Sequence, residues 1–113
     1  MALYSQLPVY RASYDLLVSI FDFSRNFTRE YKYTIGEKLK SETVDLITHI
    51  YRANSRQEKR PVLQQARENV EVIRLYMRLL RDLQQVSIRQ FVDISEKIED
   101  VSRQLTGWQK SLR

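Results

Sequence analysis

The sequence predicts an all-α fold, an up-down-up-down antiparallel four-helix bundle that forms a single domain over residues 1–113. Only two glycines and two prolines occur, which argues against a β-rich fold with many tight turns. Four segments repeat their apolar residues with helical periodicity. The connections between these segments are short, and short connections make consecutive helices antiparallel neighbours.

The first helix is predicted over about residues 8–27, with Pro8 at a first position where its missing N–H costs nothing. Its main apolar stripe consists of Tyr10, Tyr14, Leu17, Val18 and Phe21. Three more apolar residues, Leu16, Ile20 and Phe23, lie well off this stripe. A helix that is apolar on two sides must bury both. In a small bundle only a neighbouring subunit is available to bury the second side.

The second helix is predicted over about residues 35–53 and the third over about residues 61–83. Thr34, with Glu37 three residues later, fits an N-terminal capping box for the second helix. The predicted core face of the second helix consists of Ile35, Leu39, Leu46, Ile47, Ile50 and Ala53. The predicted core face of the third consists of Ile73, Tyr76, Leu79, Leu80 and Leu83.

The fourth helix is predicted over about residues 88–110, with Ser87 as its N-cap. Its apolar and small residues recur at spacings of about three and four, as in a helix packed nearly parallel to its partners. This seam consists of Ile88, Phe91, Ser95, Ile98, Ser102, Leu105 and Leu112. Gly107 disfavours helix, so an end or a bend before Trp108 is the alternative.

Five arginines of the third helix form a row. Arg60, Arg67, Arg74, Arg78 and Arg81 are separated by 7, 7, 4 and 3 residues. At about 100° per residue they fall within a sector of roughly 60°, opposite the predicted core face. The row fits a surface for phosphate or carboxylate groups. The alternative is a solvated helix face with acidic neighbours along the same helix.

The overall charge also favours an anionic partner. The chain has 19 Lys and Arg residues against 14 Asp and Glu residues, a net charge of +5. It contains no cysteine, which excludes disulfides and thiolate metal sites. Neither a signal peptide nor an apolar stretch long enough for a membrane span is visible, so the sequence predicts a soluble, cytoplasmic protein without a membrane partner.

The sequence carries little catalytic chemistry and predicts a non-enzymatic protein without cofactor or metal. The single histidine, His49, could share a helix face with Asp45 and Glu42. These residues could form a metal or acid–base site, or a surface hydrogen-bonded cluster. The seven tyrosines could stack bases, notably within residues 29–33, or act as half-buried packing residues with a polar tip.

An ordered set of short motifs resembles a known family. The second helix begins with Tyr33-Thr34-Ile35-Gly36 and ends with Ala53-Asn54, and the chain closes with Gly107-Trp108. This pattern resembles the four-helix-bundle family of 23S rRNA intervening-sequence proteins and accessory variability determinants of diversity-generating retroelements. Many relatives have Phe-Pro before the first connection, where this chain has Phe27-Thr28. That departure affects only the end of the first helix.

The resemblance implies a ring-like homopentamer with a basic surface, found in bacteria. For the retroelement branch it implies binding to nucleic acid and to a partner reverse transcriptase. Five copies would carry a charge of about +25, which would make polyanion binding strongly salt-dependent. Two alternatives stay open. One is a scaffold that docks an acidic protein surface, and the other is an intervening-sequence product that acts as an RNA- or protein-binding scaffold without a retroelement role.

Overall fold

The computed structural model describes residues 3–112, which fold into helices and connecting turns. Four long helices and one short helix follow a single 3-10 turn at Tyr4–Gln6. The helices are α1 (Pro8–Ser24), α2 (Arg29–Lys32), α3 (Ile35–Ser55), α4 (Arg60–Asp82) and α5 (Ile88–Ser111). No strand occurs within the described residues. The prediction of an all-α fold with four long helices is therefore confirmed.

The four long helices form the corners of one bundle. Its sides are the pairs α1–α3, α3–α4, α4–α5 and α5–α1. The molecule is 44 Å long, whereas α4 alone spans about 35 Å at about 1.5 Å per residue. Consecutive long helices must therefore reverse direction, which gives the predicted up-down-up-down order. This order places α1 diagonally opposite α4, and α3 diagonally opposite α5.

The core runs along the bundle axis and draws on all four long helices. Its fully covered side chains include Leu16, Ile20, Leu39, Leu46, Ile50, Leu63, Ile73, Met77, Leu80, Val101 and Leu105. Trp108 and Leu112 are partly buried against one end of this core. Buried Ile98 and Leu105 confirm two positions of the predicted fourth-helix seam.

The caps of α5 and α3 differ from each other. At α5, Ser87 and Gln90 form a reciprocal capping box: Gln90 N–H donates to Ser87 Oγ (3.1 Å) and Ser87 N–H to Gln90 Oε1 (2.9 Å). At α3 the expected capping box is wrong, because Thr34 Oγ1 instead donates to the carbonyl of Glu30 at 2.7 Å. Thr34 thus bonds back to α2, a short helix that sequence periodicity did not predict.

Gly36 explains how α2 fits against α3. A Cβ atom at this position would lie 3.1 Å from the Tyr31 carbonyl oxygen and 3.3 Å from the Phe27 ring. Those distances are shorter than ordinary van der Waals contact, so the missing side chain lets the two helices approach closely. The first helix ends at Ser24, not near residue 27, and Phe27 is buried in the turn that follows.

Helix α5 continues through Gly107 to Ser111, so the alternative of an end before Trp108 is wrong. An added Cβ atom at Gly107 would meet nothing within 4 Å. The packing of Leu105 and Trp108 on either side of Gly107 holds this turn helical despite the low propensity of glycine.

Two predicted core faces are rotated in the structure. On α4, Leu79 is 38% exposed, whereas Met77, absent from the prediction, is 1% exposed. On α5, Ile88 is 71% exposed, and the core residues are Ile94, Ile98, Val101 and Leu105. Each helix packs on two neighbours, so its buried face points between them.

The two apolar sides of α1 differ in burial. Leu16, Ile20 and Phe23 enter the bundle core, whereas Tyr14, Val18 and Phe21 stay about half exposed. On α3, Val44 and Tyr51 are exposed to a similar degree. Phe21 and Val44 line one shallow depression, and Tyr51 contacts Tyr4, which in turn contacts Tyr10. We call this surface, formed by Tyr14, Val18, Phe21, Val44 and Tyr51, the α1–α3 apolar patch.

Candidate nucleic-acid interface

The arginine row lies along the groove between α4 and α5. At one end, Arg60 Nη2 donates to the Leu112 carbonyl at 2.8 Å, and Arg67 Nη1 donates to Gln109 Oε1. These contacts cross from the first half of α4 to the last turn of α5. The prediction that the row points directly away from the core is wrong. Because the buried face of α4 is centred on Val70, Ile73 and Met77, the row lies on the flank that faces α5.

Arg74 forms the central ion pair of the row. Its guanidinium donates to both carboxylate oxygens of Glu99 on α5, at 3.0 and 3.4 Å. Its Nε lies 3.3 Å from Glu71 Oε2, but without the geometry of a hydrogen bond, so this buried N–H has no acceptor within the described chain. The positive charge of Arg74 is therefore largely balanced by two neighbouring carboxylates.

The Arg74 guanidinium, by hydrogen bonding and by its charge, holds the pKa of Glu99 below its ordinary value. Glu99 is thus ionised at neutral pH, and its pair with Arg74 is formed there. A lowered carboxyl pKa contributes stability above the unfolded value, and that contribution is lost as the pH falls through the folded value. The ion pair therefore weakens only in acid.

Arg78 and Arg81 present positive charge at the other end of the groove. The Arg81 guanidinium lies over the Phe91 ring, 4.8 Å from its centroid, and contacts Asp82 at 3.4 Å. Arg78 is exposed, and within residues 3–112 its side chain has no hydrogen bond or ion pair. Arg74, Arg78 and Arg81 line one cleft of about 460 Å³. An anion entering this cleft therefore meets Arg78, which is unpaired among the described residues, and Arg81, whose contact with the Asp82 carboxylate is long.

The comparison with known families agrees with this architecture. The family model described as bAvd-like matches residues 8–112, from the first residue of α1 to the residue after α5. This chain belongs to the bAvd-like family. The match confirms the resemblance to the accessory variability determinant four-helix bundles, and it spans all five arginines of the row. No protein with curated annotation matches the chain at a significant level.

Three residues of the groove in this bAvd-like chain were not predicted as site residues. The sequence predicts Phe91 only as a core residue, and it does not single out Glu99 or Arg103. The sequence offers no local signal for Glu99 or Arg103, whereas Phe91 belongs to the predicted seam of the fourth helix. Phe91 and Ser95 are partly buried and line the groove beside α4, whereas Ile94 and Val101 are buried in the core.

The histidine cluster is a hydrogen-bonded chain across α3 and α4. Asn69 Nδ2 donates to Glu42 Oε2 at 2.5 Å, which leaves Asn69 Oδ1 to accept from His49 Nδ1 at 2.6 Å. The acceptor-only carboxylate thereby fixes the amide orientation and the histidine tautomer. Asp45 is exposed and takes no part. A hydrogen-bonded cluster therefore does form, but it is not the predicted surface cluster of one helix, because Asp45 is outside it and the buried Asn69 of α4 is its centre.

Metal sites and membrane-spanning segments are two other features that these helices could have carried. No group of three or more His, Cys, Asp or Glu side chains among the described residues could hold a metal ion. None of the described helices combines the length and the hydropathy that crossing a bilayer requires.

The two tyrosines near α2 differ in exposure. Tyr33 is exposed, with Lys32 Nζ 5.8 Å from its ring centroid, and Tyr31 is half-buried.

Proposed function

We propose that this bAvd-like chain is a non-enzymatic accessory protein that binds nucleic acid through the arginine row along the α4–α5 groove. The observation that carries the proposal is the set of five guanidinium groups on one flank of α4, with Arg78 unpaired among the described residues. Guanidinium groups bind phosphates through paired N–H donors. A row of this kind gives affinity with little base readout.

The proposed setting is a diversity-generating retroelement, with a reverse transcriptase as the class of protein partner that the family resemblance implies. We further propose a ring-like homopentamer, in which the α1–α3 apolar patch contacts a different surface of the next copy. Pairing of identical patches would close as a dimer, whereas contacts between unlike surfaces generate rings. The α1–α3 apolar patch and the α4–α5 groove lie on opposite sides of the bundle, because α1 is diagonal to α4 and α3 is diagonal to α5.

The direct test removes two arginines that form no ion pair within the described residues. Arg67→Ala with Arg78→Ala deletes two guanidinium groups and one hydrogen bond between side chains, which the Arg67 guanidinium donates to the uncharged amide of Gln109. We expect RNA and DNA affinities to fall about tenfold or more, since hydrogen bonds to charged groups contribute about 1.5–3 kcal/mol each. The log–log salt slope should fall by about 0.7–0.9 for each phosphate that the variant no longer binds. Fluorescence anisotropy titrations at several salt concentrations measure both.

The matched control is Arg11→Ala with Arg52→Ala. It removes the same charge from exposed positions on α1 and α3, outside the groove. Its affinity and salt slope should stay close to those of the wild type, after a small uniform reduction from the lower net charge. Equal behaviour of the two double variants would exclude the row as the nucleic-acid site. Absence of nucleic-acid binding by the wild type would favour the scaffold that docks an acidic protein.

A second prediction concerns the ion pair of Arg74. Glu99→Gln removes a carboxylate from the groove and leaves Arg74 free of its strongest partner. We expect tighter nucleic-acid binding and a salt slope larger by about 0.7–0.9, because Arg74 can then bind a phosphate. Glu68→Gln is the control, because it removes an equal charge from an exposed position of α4 that does not line the groove. Weaker binding by Glu99→Gln would indicate that the ion pair positions Arg74 for its ligand.

A further inference from the structure

Phe91 lies between two adjoining clefts of the groove. The first cleft, of about 460 Å³, contains the three arginines at positions 74, 78 and 81. The second, of about 510 Å³, is lined by Phe91, Val92, Ser95, Glu96, Glu99 and Arg103. Phe91, Ser95 and Glu99 line both clefts, so the two form one continuous depression with the aromatic ring at its centre.

The Phe91 ring is available for stacking from the second cleft. Arg81 covers the ring from the first cleft at 4.8 Å and does not line the second. The ring is also partly buried against the core, which holds it in place before any ligand arrives. A flat π-system entering the second cleft would therefore meet an aromatic ring that the core already holds in place. Aromatic rings of this kind stack nucleobases in single strands.

The charges around Phe91 suit the backbone of such a strand. Arg78, which lines the first cleft, has no hydrogen bond or ion pair within the described residues. Arg103, which lines the second cleft, is 72% exposed, and its contact with Asp100 is 3.9 Å long. Phosphates of a strand that follows the groove could each reach one of these guanidinium groups. The carboxylate of Glu96 lines the same cleft as the ring, where it can accept hydrogen bonds from base amino groups.

We propose that the α4–α5 groove binds single-stranded nucleic acid, with one unpaired base stacked on Phe91 and phosphates of the same strand on Arg78 and Arg103. This inference rests on the proposed nucleic-acid function and names its substrate class. Bases inside a duplex are covered on both faces by their neighbours. Exposing one costs a few kcal/mol of unstacking and unpairing, so the groove should discriminate against duplexes.

The test compares an unstructured RNA of about 12 nucleotides, within the range of single-strand site sizes, with the duplex of the same sequence. Phe91→Leu should weaken single-strand binding about 5- to 150-fold, since stacking of one base contributes about 1–3 kcal/mol. Duplex affinity should be unchanged. Phe91→Tyr keeps the ring and should restore single-strand affinity. A 2-aminopurine in the strand should be quenched by the wild type and by Phe91→Tyr, and much less by Phe91→Leu.

Arg103→Ala gives a readout that does not depend on the packing of Phe91. This substitution should weaken single-strand binding, and it should lower the log–log salt slope of that binding by about 0.7. The midpoint of thermal unfolding should stay constant. Equal weakening of single-strand and duplex binding in Phe91→Leu, or no weakening of either, would overturn the stacking site. If Arg67→Ala with Arg78→Ala still weakened both nucleic acids, the proposed function would stand without it. Binding of neither nucleic acid by the wild type would overturn both proposals.

Discussion

Replacing Leu105 with alanine is expected to lower the free energy of unfolding by about 2–5 kcal/mol. Leu105 is 0% exposed and belongs to the core that all four long helices share. The substitution removes buried methyl groups and leaves a cavity that the surrounding helices fill only in part. Urea denaturation followed by circular dichroism, at one fixed protein concentration, measures the change. The fixed concentration matters because oligomerisation makes apparent stability depend on protein concentration.

Leu75→Ala is the matched control. Leu75 has the same side chain on a neighbouring helix but is 60% exposed. Its replacement should change the free energy of unfolding by no more than about 0.5 kcal/mol, as is usual for surface positions. A Leu105→Ala variant as stable as Leu75→Ala would show that the register of α5 in the bundle is wrong. A large destabilisation by Leu75→Ala would instead indicate that this position is covered in an assembly.

Val18→Asp is expected to dissociate the proposed homopentamer into single chains. Val18 is at the centre of the α1–α3 apolar patch and is 50% exposed in the isolated chain. In the ring it would be covered by the next copy, where an unpaired carboxylate is strongly disfavoured. The isolated chain tolerates the change because the position faces solvent. Sedimentation equilibrium at micromolar concentration should therefore report about five chains for the wild type and one for the variant.

Val92→Asp serves as the control for Val18→Asp. It is the same substitution at a similarly exposed position (47%), but on α5, outside the α1–α3 apolar patch. Its mass should equal that of the wild type, and the far-ultraviolet helical signal of both variants should be unchanged. A wild type that sediments as a single chain would remove the ring. A Val18→Asp variant that keeps the wild-type mass would move the interface away from the α1–α3 apolar patch.

The candidate site was only partly predictable from the sequence. Spacing alone placed the five arginines within one sector of one helix, and the structure keeps them together, although on the flank beside α5 and not directly opposite the core. Spacing did not predict that Glu99 neutralises Arg74, or that Arg81 lies over Phe91. Both contacts join α4 to α5, and residues 25 and 10 positions apart carry no local signal of their proximity. The same holds for Asn69, whose amide links two residues of another helix.

The sequence by itself determined the four long helices, the N-cap at Ser87, the two apolar sides of α1 and the alignment of the arginine row. Each depends on interactions within a few residues along the chain, which helical periodicity and capping chemistry describe. Only the tertiary structure decided which way each helix faces. Periodicity fixes the angles between side chains of one helix, but not the directions of its neighbours. The rotation of α4 between α3 and α5 therefore set the arginine row beside Phe91, and the packing of α1 left one of its two apolar sides without a partner in the bundle.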